Sequence, residues 1–311
     1  MKLTRYLVTG GAGFVGSNIV RKLVANRESV RLLDNFSTGN KDNIADISDQ
    51  VEIINGDFTN KAIVKKAIKD VDIILHQGAI PSVPKSIDNP ILSNYANVNG
   101  TLTLLNAAVE EGVSRFVYAA SSSAYGNNKK LPKQESMAAN PMSPYAVSKY
   151  TGELYCKVFY EIYGLETISL RYFNVFGPRQ NPHSKYAAVI PAFIESIIHN
   201  QSPTIFGDGT QSRDFTYIDN IVSANLLAAT AKKLQGEVVN IGTGSQIQLN
   251  DLVDRINKIL GKNIPATYTN DRAGDVKHSL ADIQRAKEII KYEPITSFDD
   301  GLIKTVNWFN K

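Results

Sequence analysis

The 311-residue sequence predicts an α/β protein: a doubly wound parallel sheet with a smaller mixed α/β lobe after it. Three observations carry this. Short β-branched runs alternate with segments of helical period over the first 170 residues, so the connections are crossovers and the strands parallel. From residue 172 the rhythm breaks into a loop-rich stretch holding Gly177–Pro178, Asn181–Pro182, Gly207 and Gly209. The composition, 43% apolar and 21% charged, is that of a globular chain and long enough for a large core.

Taken in order, the strand-like runs are Tyr6–Thr9, Val30–Asp34, Val51–Asn55, Val71–Leu75, Arg115–Ala119 and Thr167–Leu170. Helical period appears over Phe14–Ala25, Ala62–Lys69, Tyr95–Val109 and Tyr145–Tyr163. Beyond these come helices over Ala187–His199 and near Tyr217–Ala231, a strand near Val238–Ile241, and a mixed tail. The expected division gives residues 1–171, with 214–242 returning, to the sheet unit, and residues 172–213 and 243–311 to the second lobe.

Several classes are excluded early. One cysteine, Cys156, allows no intrachain disulfide and no Cys-built metal centre, and suggests a reducing compartment. The four histidines (His76, His183, His199, His278) are scattered, so no metal site is expected and ordinary polar positions are. A net charge of +4 is too weak to argue for nucleic acid but suits an anionic small ligand. Met1–Arg5 runs straight into the first strand, leaving no signal peptide, and no apolar run nears the ~18 residues of a membrane span. A cytoplasmic protein is expected.

Thr9-Gly10-Gly11-Ala12-Gly13-Phe14-Val15-Gly16 follows the first strand and opens the first helix. In that context Gly10 makes a tight turn, Gly13 admits a pyrophosphate to the backbone, and Gly16 lets helix and strand pack closely. Asp34, about 20 residues on at the end of the second strand, can accept hydrogen bonds from ribose hydroxyls and would repel a 2′-phosphate. This is the dinucleotide-binding (Rossmann) pattern, and it favours NAD over NADP. By pattern alone Asp57 is a turn residue and Asn97 a helix-surface residue.

Tyr145 and Lys149 are four apart at a helix start and share one face. A cation close to a phenol stabilises its phenolate, which makes a usable general base toward an alcohol. With 14 tyrosines, about one such spacing arises by chance, and two occur. Tyr125 with Lys129 lies in a Ser-Ala-Tyr-Gly-Asn-Asn turn, where i and i+4 need not meet, so it is the decoy. Ser121, Ser122 and Ser123 follow the fifth strand, at the edge where such sheets bind ligands.

Together, Thr-Gly-x-x-Gly-x-x-Gly, Asp34, Ser121 and Tyr145-x-x-x-Lys149 resemble the extended short-chain dehydrogenase/reductases that act on nucleotide sugars. The likeness covers essentially the whole chain. His76-Gln77-Gly78-Ala79, Ser82-Val83-x-x-Ser86, the stretch Arg171–Arg179, Arg213-Asp214-Phe215 and the tail Arg272–Ser279 narrow it to the UDP-hexose 4-epimerases. The resemblance implies NAD contacts from Gly10, Gly13, Phe14, Val15 and Gly16. It adds Asp34, Asn35, Ser37, Thr38 and Gly39 after the second strand, and Asp57 and Phe58 after the third. Gln77, Gly78, Ala79, Asn97, Tyr172 and Val175, with Tyr145 and Lys149, complete the implied cofactor site.

For the UDP-sugar, the resemblance implies Asn174, Ala188, Val189, Phe206 and Gln211. Arg213 and Arg272 would hold the diphosphate, a charge that guanidinium forks match, with Asp275 orienting. Ser82, Ser121, Ser122, Ser123, Tyr145 and Ser279 would face the sugar. The family's 4,6-dehydratases carry Thr-Asp-Glu where this chain has Ser121-Ser122-Ser123, so epimerisation, which needs one base and hydride transfer, is implied. Tyr145 would then be the base, Ser121 its relay, and Lys149 would lower the phenol's pKa and bind ribose. A small residue at Ser279 admits a 2-acetamido group, while Pro81 and Gly78 depart from the N-acetyl-preferring pattern. Both plain and N-acetylated UDP-hexoses therefore stay open. A UDP-glucuronate 4-epimerase is the enzymatic alternative, and a non-catalytic NAD sensor is the alternative from another class. The family's habit implies a homodimer through Tyr95–Val109 and Tyr145–Tyr163.

Overall fold

The computed structural model describes residues 4–182, 188–270 and 276–311. In chain order the first half runs β1 (Arg5–Thr9), α1 (Phe14–Ala25), β2 (Ser29–Asp34), β3 (Glu52–Asn55), α2 (Lys61–Ile68) and β4 (Ile73–His76). Then come α3 (Val83–Asp88), α4 (Pro90–Asn94), a π-helical turn at Tyr95–Asn99, α5 (Gly100–Glu111), β5 (Arg115–Ser121), α6 (Pro144–Tyr163) and β6 (Glu166–Tyr172). The second half contains β7 (Val175–Phe176), α7 (Val189–Ile198), β8 (Thr204–Phe206), β9 (Ser212–Arg213), β10 (Thr216–Tyr217), α8 (Ile218–Thr230) and β11 (Glu237–Ile241). It closes with β12 (Ile247–Gln248), α9 (Leu249–Leu260), β13 (Thr267–Thr269), α10 (Gln284–Ile290) and α11 (Phe298–Phe309).

Seven strands form one parallel sheet in the order β3-β2-β1-β4-β5-β6-β11. The order reverses direction between β1 and β4, which is where doubly wound sheets open a crevice for a ligand. Side chains alternate between two cores, as a strand's period of two requires. Tyr6, Val8 and Val117 pack with α1 and α8, and Leu7, Phe116 and Tyr118 pack with α2, α5 and α6. Both faces being covered explains why β4 and β5 read as nearly unbroken apolar runs. Outside the sheet, three two-stranded pairs (β7–β10, β8–β13 and the antiparallel β9–β12) sit with α7, α9 and α11 beyond its carboxyl edge.

The helix starts follow local chemistry. Ser143 caps α6 by accepting the Ala146 N–H at 3.2 Å, Pro144 sits at its first turn, and Gly164 ends it at φ +70°. Asn60 caps α2 by accepting from the Ala62 and Ile63 N–H groups. Two expectations need correcting. The single helix over Tyr95–Val109 is a π turn followed by α5, and it is preceded by α3 and α4, where Pro84 and Pro90 break the helical period into short pieces. The helix expected from Ala187 begins, among described residues, at Val189.

Candidate active site

The glycine turn is a cradle with no room for side chains. Gly10 has φ +64°, and a Cβ there would lie 2.7 Å from the Gly78 backbone. A Cβ on Gly16 would fall 2.1 Å from the Gly10 carbonyl oxygen. Gly13 is the N-cap of α1 and no side chain caps the helix, so the first N–H groups, with the positive end of the helix dipole, could receive an anion. At the end of β2, Asp34 accepts the Ala12 N–H at 2.9 Å and the Phe36 N–H at 2.8 Å. Burial pushes its carboxyl pKa up while both donors pull it down. Gly39 packs close to this carboxylate: a Cβ there would stand 2.9 Å from Asp34 Oδ2. Asn35 donates to Asp57 at 2.8 Å and accepts from the Ser37 N–H, while Thr38 is exposed beside them. Glycines where a pyrophosphate must approach, and a carboxylate where ribose hydroxyls must be held, fit NAD.

Across the crevice, Phe58 is wedged against Gly78 and Gly100: a Cβ on either would meet its ring at 2.7 and 2.3 Å. Gln77, Tyr172 and Asn225 close a ring of hydrogen bonds. Asn225 donates to the Tyr172 hydroxyl at 2.8 Å, that hydroxyl donates to Gln77 at 3.0 Å, and Gln77 donates to Asn225 at 2.9 Å. Asn225 was not anticipated; its only signal is that it is one of two amides, with Asn220, on the largely apolar helix α8. Asn97 is 1% exposed, which overturns the helix-surface reading. The π turn re-phases the helix and points this amide inward, where it accepts from the Ile80 N–H at 2.8 Å and donates to the Ile80 carbonyl and Ser148. Ala79 lies between these groups, and Val175 lies on β7.

Tyr145 and Lys149 lie in the first two turns of α6, beside the carboxyl end of β5. The Ser121 side chain stands near enough to the Tyr145 phenol to pull its pKa down. Ser121 Oγ also accepts from Ser123 Oγ at 2.8 Å, and Ser122 opens the short turn to Tyr125. Lys149 is 4% exposed, and its Nζ donates to the Ala119 carbonyl at 2.9 Å and sits 5.0 Å from the centre of the Tyr118 ring. Burial lowers its pKa to about 8, although Cys156 and Glu153 act to raise it. The expected lowering of the Tyr145 pKa by Lys149 is not found. Burial raises that pKa, and the Ser121 side chain is what opposes it. The decoy is resolved as well: Tyr125 is buried with its hydroxyl on Asn240 at 2.7 Å, while Lys129 is exposed.

Behind Lys149, one turn further along α6, Glu153 receives three hydrogen bonds of 2.7–3.2 Å from Arg171 on β6. The two side chains are 2% and 4% exposed. Burial works against the Arg171 charge, but the Glu153 carboxylate more than offsets it and pushes its pKa up.

The remaining expected residues lie in the second half. Asn174 donates to the Asp214 carbonyl, and Ala188 and Val189 open α7. Gln211 donates to the carbonyl of Phe206, whose ring is 39% exposed. Arg213 donates to the Ser212 and Lys277 carbonyls, and Ser279 donates its N–H to the Ser212 carbonyl at 3.1 Å. Asp214, quoted in the sequence but given no role, is a hub here: it accepts from Thr243, Gly244 and Ala281 at 2.8–3.1 Å and so ties Arg213 to the Ser279 segment. Ser82 sits at φ +93° with its Oγ buried and unpaired. Arg272, Asp275 and His183 lie outside the described residues.

Comparison with known proteins agrees with this geometry. Residues 6–242 match the NAD dependent epimerase/dehydratase family. The chain is 42% identical over 304 residues, covering 97% of each sequence, to a putative UDP-glucose 4-epimerase of Methanocaldococcus jannaschii. Among solved structures it is similar to the UDP-N-acetylglucosamine 4-epimerase of Methanobrevibacter ruminantium in complex with UDP-N-acetylmuramic acid (41% identity, 99% of both chains, TM-score 0.94). It is similar also to the UDP-glucose 4-epimerase of Thermotoga maritima with UDP-glucose (36% identity, 98% of both chains, TM-score 0.94). The chain belongs to the NAD-dependent epimerase/dehydratase family, on its UDP-sugar 4-epimerase branch.

Proposed function

We propose that this enzyme interconverts UDP-glucose with UDP-galactose, and the corresponding N-acetylated pair, by inverting C4. The observation that carries the reading is Tyr145 and the buried Lys149 one turn apart on α6, with Ser121 at the end of β5 near the phenol, beside a cradle built for a dinucleotide. The names of its relatives, which include glucose and N-acetylglucosamine epimerases, support both sugar pairs. The half-buried Ser279 supports room for an acetamido group.

The roles follow from the chemistry. Tyr145, as its phenolate, takes the proton of the sugar 4-hydroxyl with Ser121 as relay, becoming the neutral phenol, and gives that proton back to the C4 oxygen when hydride returns on the other face. NAD, when bound, supplies the hydride acceptor and donor. Lys149, held by the Ala119 carbonyl, would hold the nicotinamide ribose when NAD is bound, and its positive charge favours the Tyr145 phenolate that accepts the proton. Ser121, Ser122 and Ser123 hold no carboxyl group, so nothing at the end of β5 removes water from C5–C6 and the oxidised sugar is reduced again. Arg213 and Arg272 hold the diphosphate while the 4-keto sugar turns about it. The domain division is then functional: residues 1–171 with 214–242 hold the cofactor, and residues 172–213 and 243–311 hold the UDP-sugar.

We also propose a homodimer. Ile87, Ile91 and Tyr95 recur at four-residue spacing with 52–82% exposure, and Val147, Leu154, Val158 and Ile162 expose a second apolar stripe on α6. A continuous apolar face of that kind is what a helix-paired interface covers.

The test is Tyr145→Phe with UDP-glucose, UDP-galactose, UDP-N-acetylglucosamine and UDP-glucuronate, reading C4 inversion by NMR. The wild type should invert the hexose pairs, and the variant none while still retaining NAD. Full activity in the variant, or inversion of UDP-glucuronate alone by the wild type, would refute the proposal.

A further inference from the structure

His76 is completely buried, at the end of β4, and takes no part in the chemistry above. Its ring is packed among Phe58, Phe116 and Tyr118, with ring centres 5.4–5.7 Å away. Nδ1 lies 2.6 Å from Thr9 Oγ1, on the last residue of β1 before Gly10, and Nε2 lies 2.9 Å from Thr101 Oγ1 on α5.

Counting protons fixes the direction of this chain. The Thr101 hydroxyl donates to the Asn97 carbonyl at 2.7 Å, so toward the ring its oxygen accepts, and Nε2 carries the proton. Nδ1 must then accept, and Thr9 donates to it while accepting the Gly78 N–H at 3.2 Å. In the opposite tautomer the Thr9 hydroxyl proton has no acceptor among the described contacts, a costly loss where Thr9 and His76 are both fully buried. Burial, aided by the Lys149 charge, holds the ring's pKa well below the ordinary histidine value, which keeps the imidazole neutral.

The chain continues beyond Thr101. Asn97 clasps the Ile80 backbone and donates to Ser148 Oγ at 3.0 Å, and Ser148 donates to the carbonyl of Tyr145 at 2.8 Å. Directed hydrogen bonds therefore run from the glycine cradle through β4 to the Asn97 backbone carbonyl, and the Asn97 side chain on the same π turn carries the connection on through Ser148 to the backbone of the residue bearing the phenol.

We propose that His76 is a positioning residue: as a neutral Nε2–H imidazole it fixes the distance between the dinucleotide cradle and the Tyr145 phenol. The inference rests on the proposed reading of those two sites. Its effect falls on the reacting geometry rather than on the UDP-sugar, because none of the chain's members belongs to the half of the protein that holds Arg213 and Ser279. A displacement of about 1 Å in such a geometry costs on the order of a hundredfold in rate.

The test has two parts. In the wild type, 15N NMR of the histidine rings should show His76 with a protonated Nε2 and a bare Nδ1 at neutral pH. An Nδ1–H tautomer or an imidazolium at neutral pH overturns the proposal, and this measurement requires neither a variant nor activity. Thr101→Val removes the acceptor without changing shape, and Thr101→Ser restores it. The valine variant should lose tenfold or more in kcat with KM for UDP-glucose within about twofold, and the serine variant should recover kcat. Unchanged kcat in the valine variant, or a loss confined to KM, overturns the proposal. If the wild type inverts no sugar, the functional reading fails instead, and the tautomer still decides whether the directed chain exists.

Discussion

Glu153→Gln removes one charge of the Arg171–Glu153 pair while keeping its shape. Both side chains are at most 4% exposed, and the guanidinium already has one buried nitrogen, Nη1, without a partner. Of its remaining contacts, the 4.6 Å approach of the guanidinium to the Tyr125 ring is too weak to replace a carboxylate. The variant thus leaves an uncompensated buried cation, which costs about 3–5 kcal/mol. The assay is urea unfolding with the slope held as a control, so that a change in midpoint is a change in stability. The double replacement Glu153→Leu with Arg171→Met removes both charges and should unfold within about 1 kcal/mol of the wild type, because desolvation of the pair offsets most of its attraction. A Glu153→Gln protein within 1 kcal/mol of the wild type would refute the reasoning, since the pair would then not be desolvated. A double variant as unstable as the single one would show that packing, rather than charge, is at stake. The same substitution removes a negative neighbour of Lys149, so the Lys149 pKa should fall further below about 8.

Two further outcomes follow from the site. Lys149 titrates at about 8 when folded and near ~10.4 when unfolded, so the unfolded chain binds more protons between those values. Its contribution to stability is complete above ~10.4 and is lost as pH falls through about 8; the urea midpoint of the wild type relative to Lys149→Met should therefore rise from pH 8 to pH 10, and a constant difference would contradict the assignment. Gly16→Ala places a Cβ 2.1 Å from the Gly10 carbonyl oxygen and 2.8 Å from Gly11 Cα, rigid backbone that cannot swing aside, so α1 must move off the turn after β1. NAD should be lost on gel filtration and stability reduced by about 1–3 kcal/mol, and retention of both would show that the cradle yields.

Much of this was legible in the sequence because it is local. The bounds of α1 match the helical period from Phe14 to Ala25, and the three-residue glycine spacing places the cradle. Tyr145 and Lys149 share a helix face because Ser143 and Pro144 start α6 just ahead of them. What escaped is non-local or out of phase. Asn97 reads as surface under a 3.6 period, and only an i→i+5 turn brings it inside. The Glu153–Arg171 pair joins residues on different elements, and Asn225 meets Gln77 across 148 positions. The direction of the Tyr145 pKa depends on burial and on where the Lys149 ammonium points, which spacing alone does not encode.

The central claim is that C4 is oxidised and reduced again within one site. Incubation with UDP-glucose deuterated at C4 tests it most directly, with the product read by NMR in ordinary water. The account predicts UDP-galactose that keeps deuterium at C4, because the hydrogen removed is the one returned. Deuterium lost to solvent, or no inversion at C4, would contradict it.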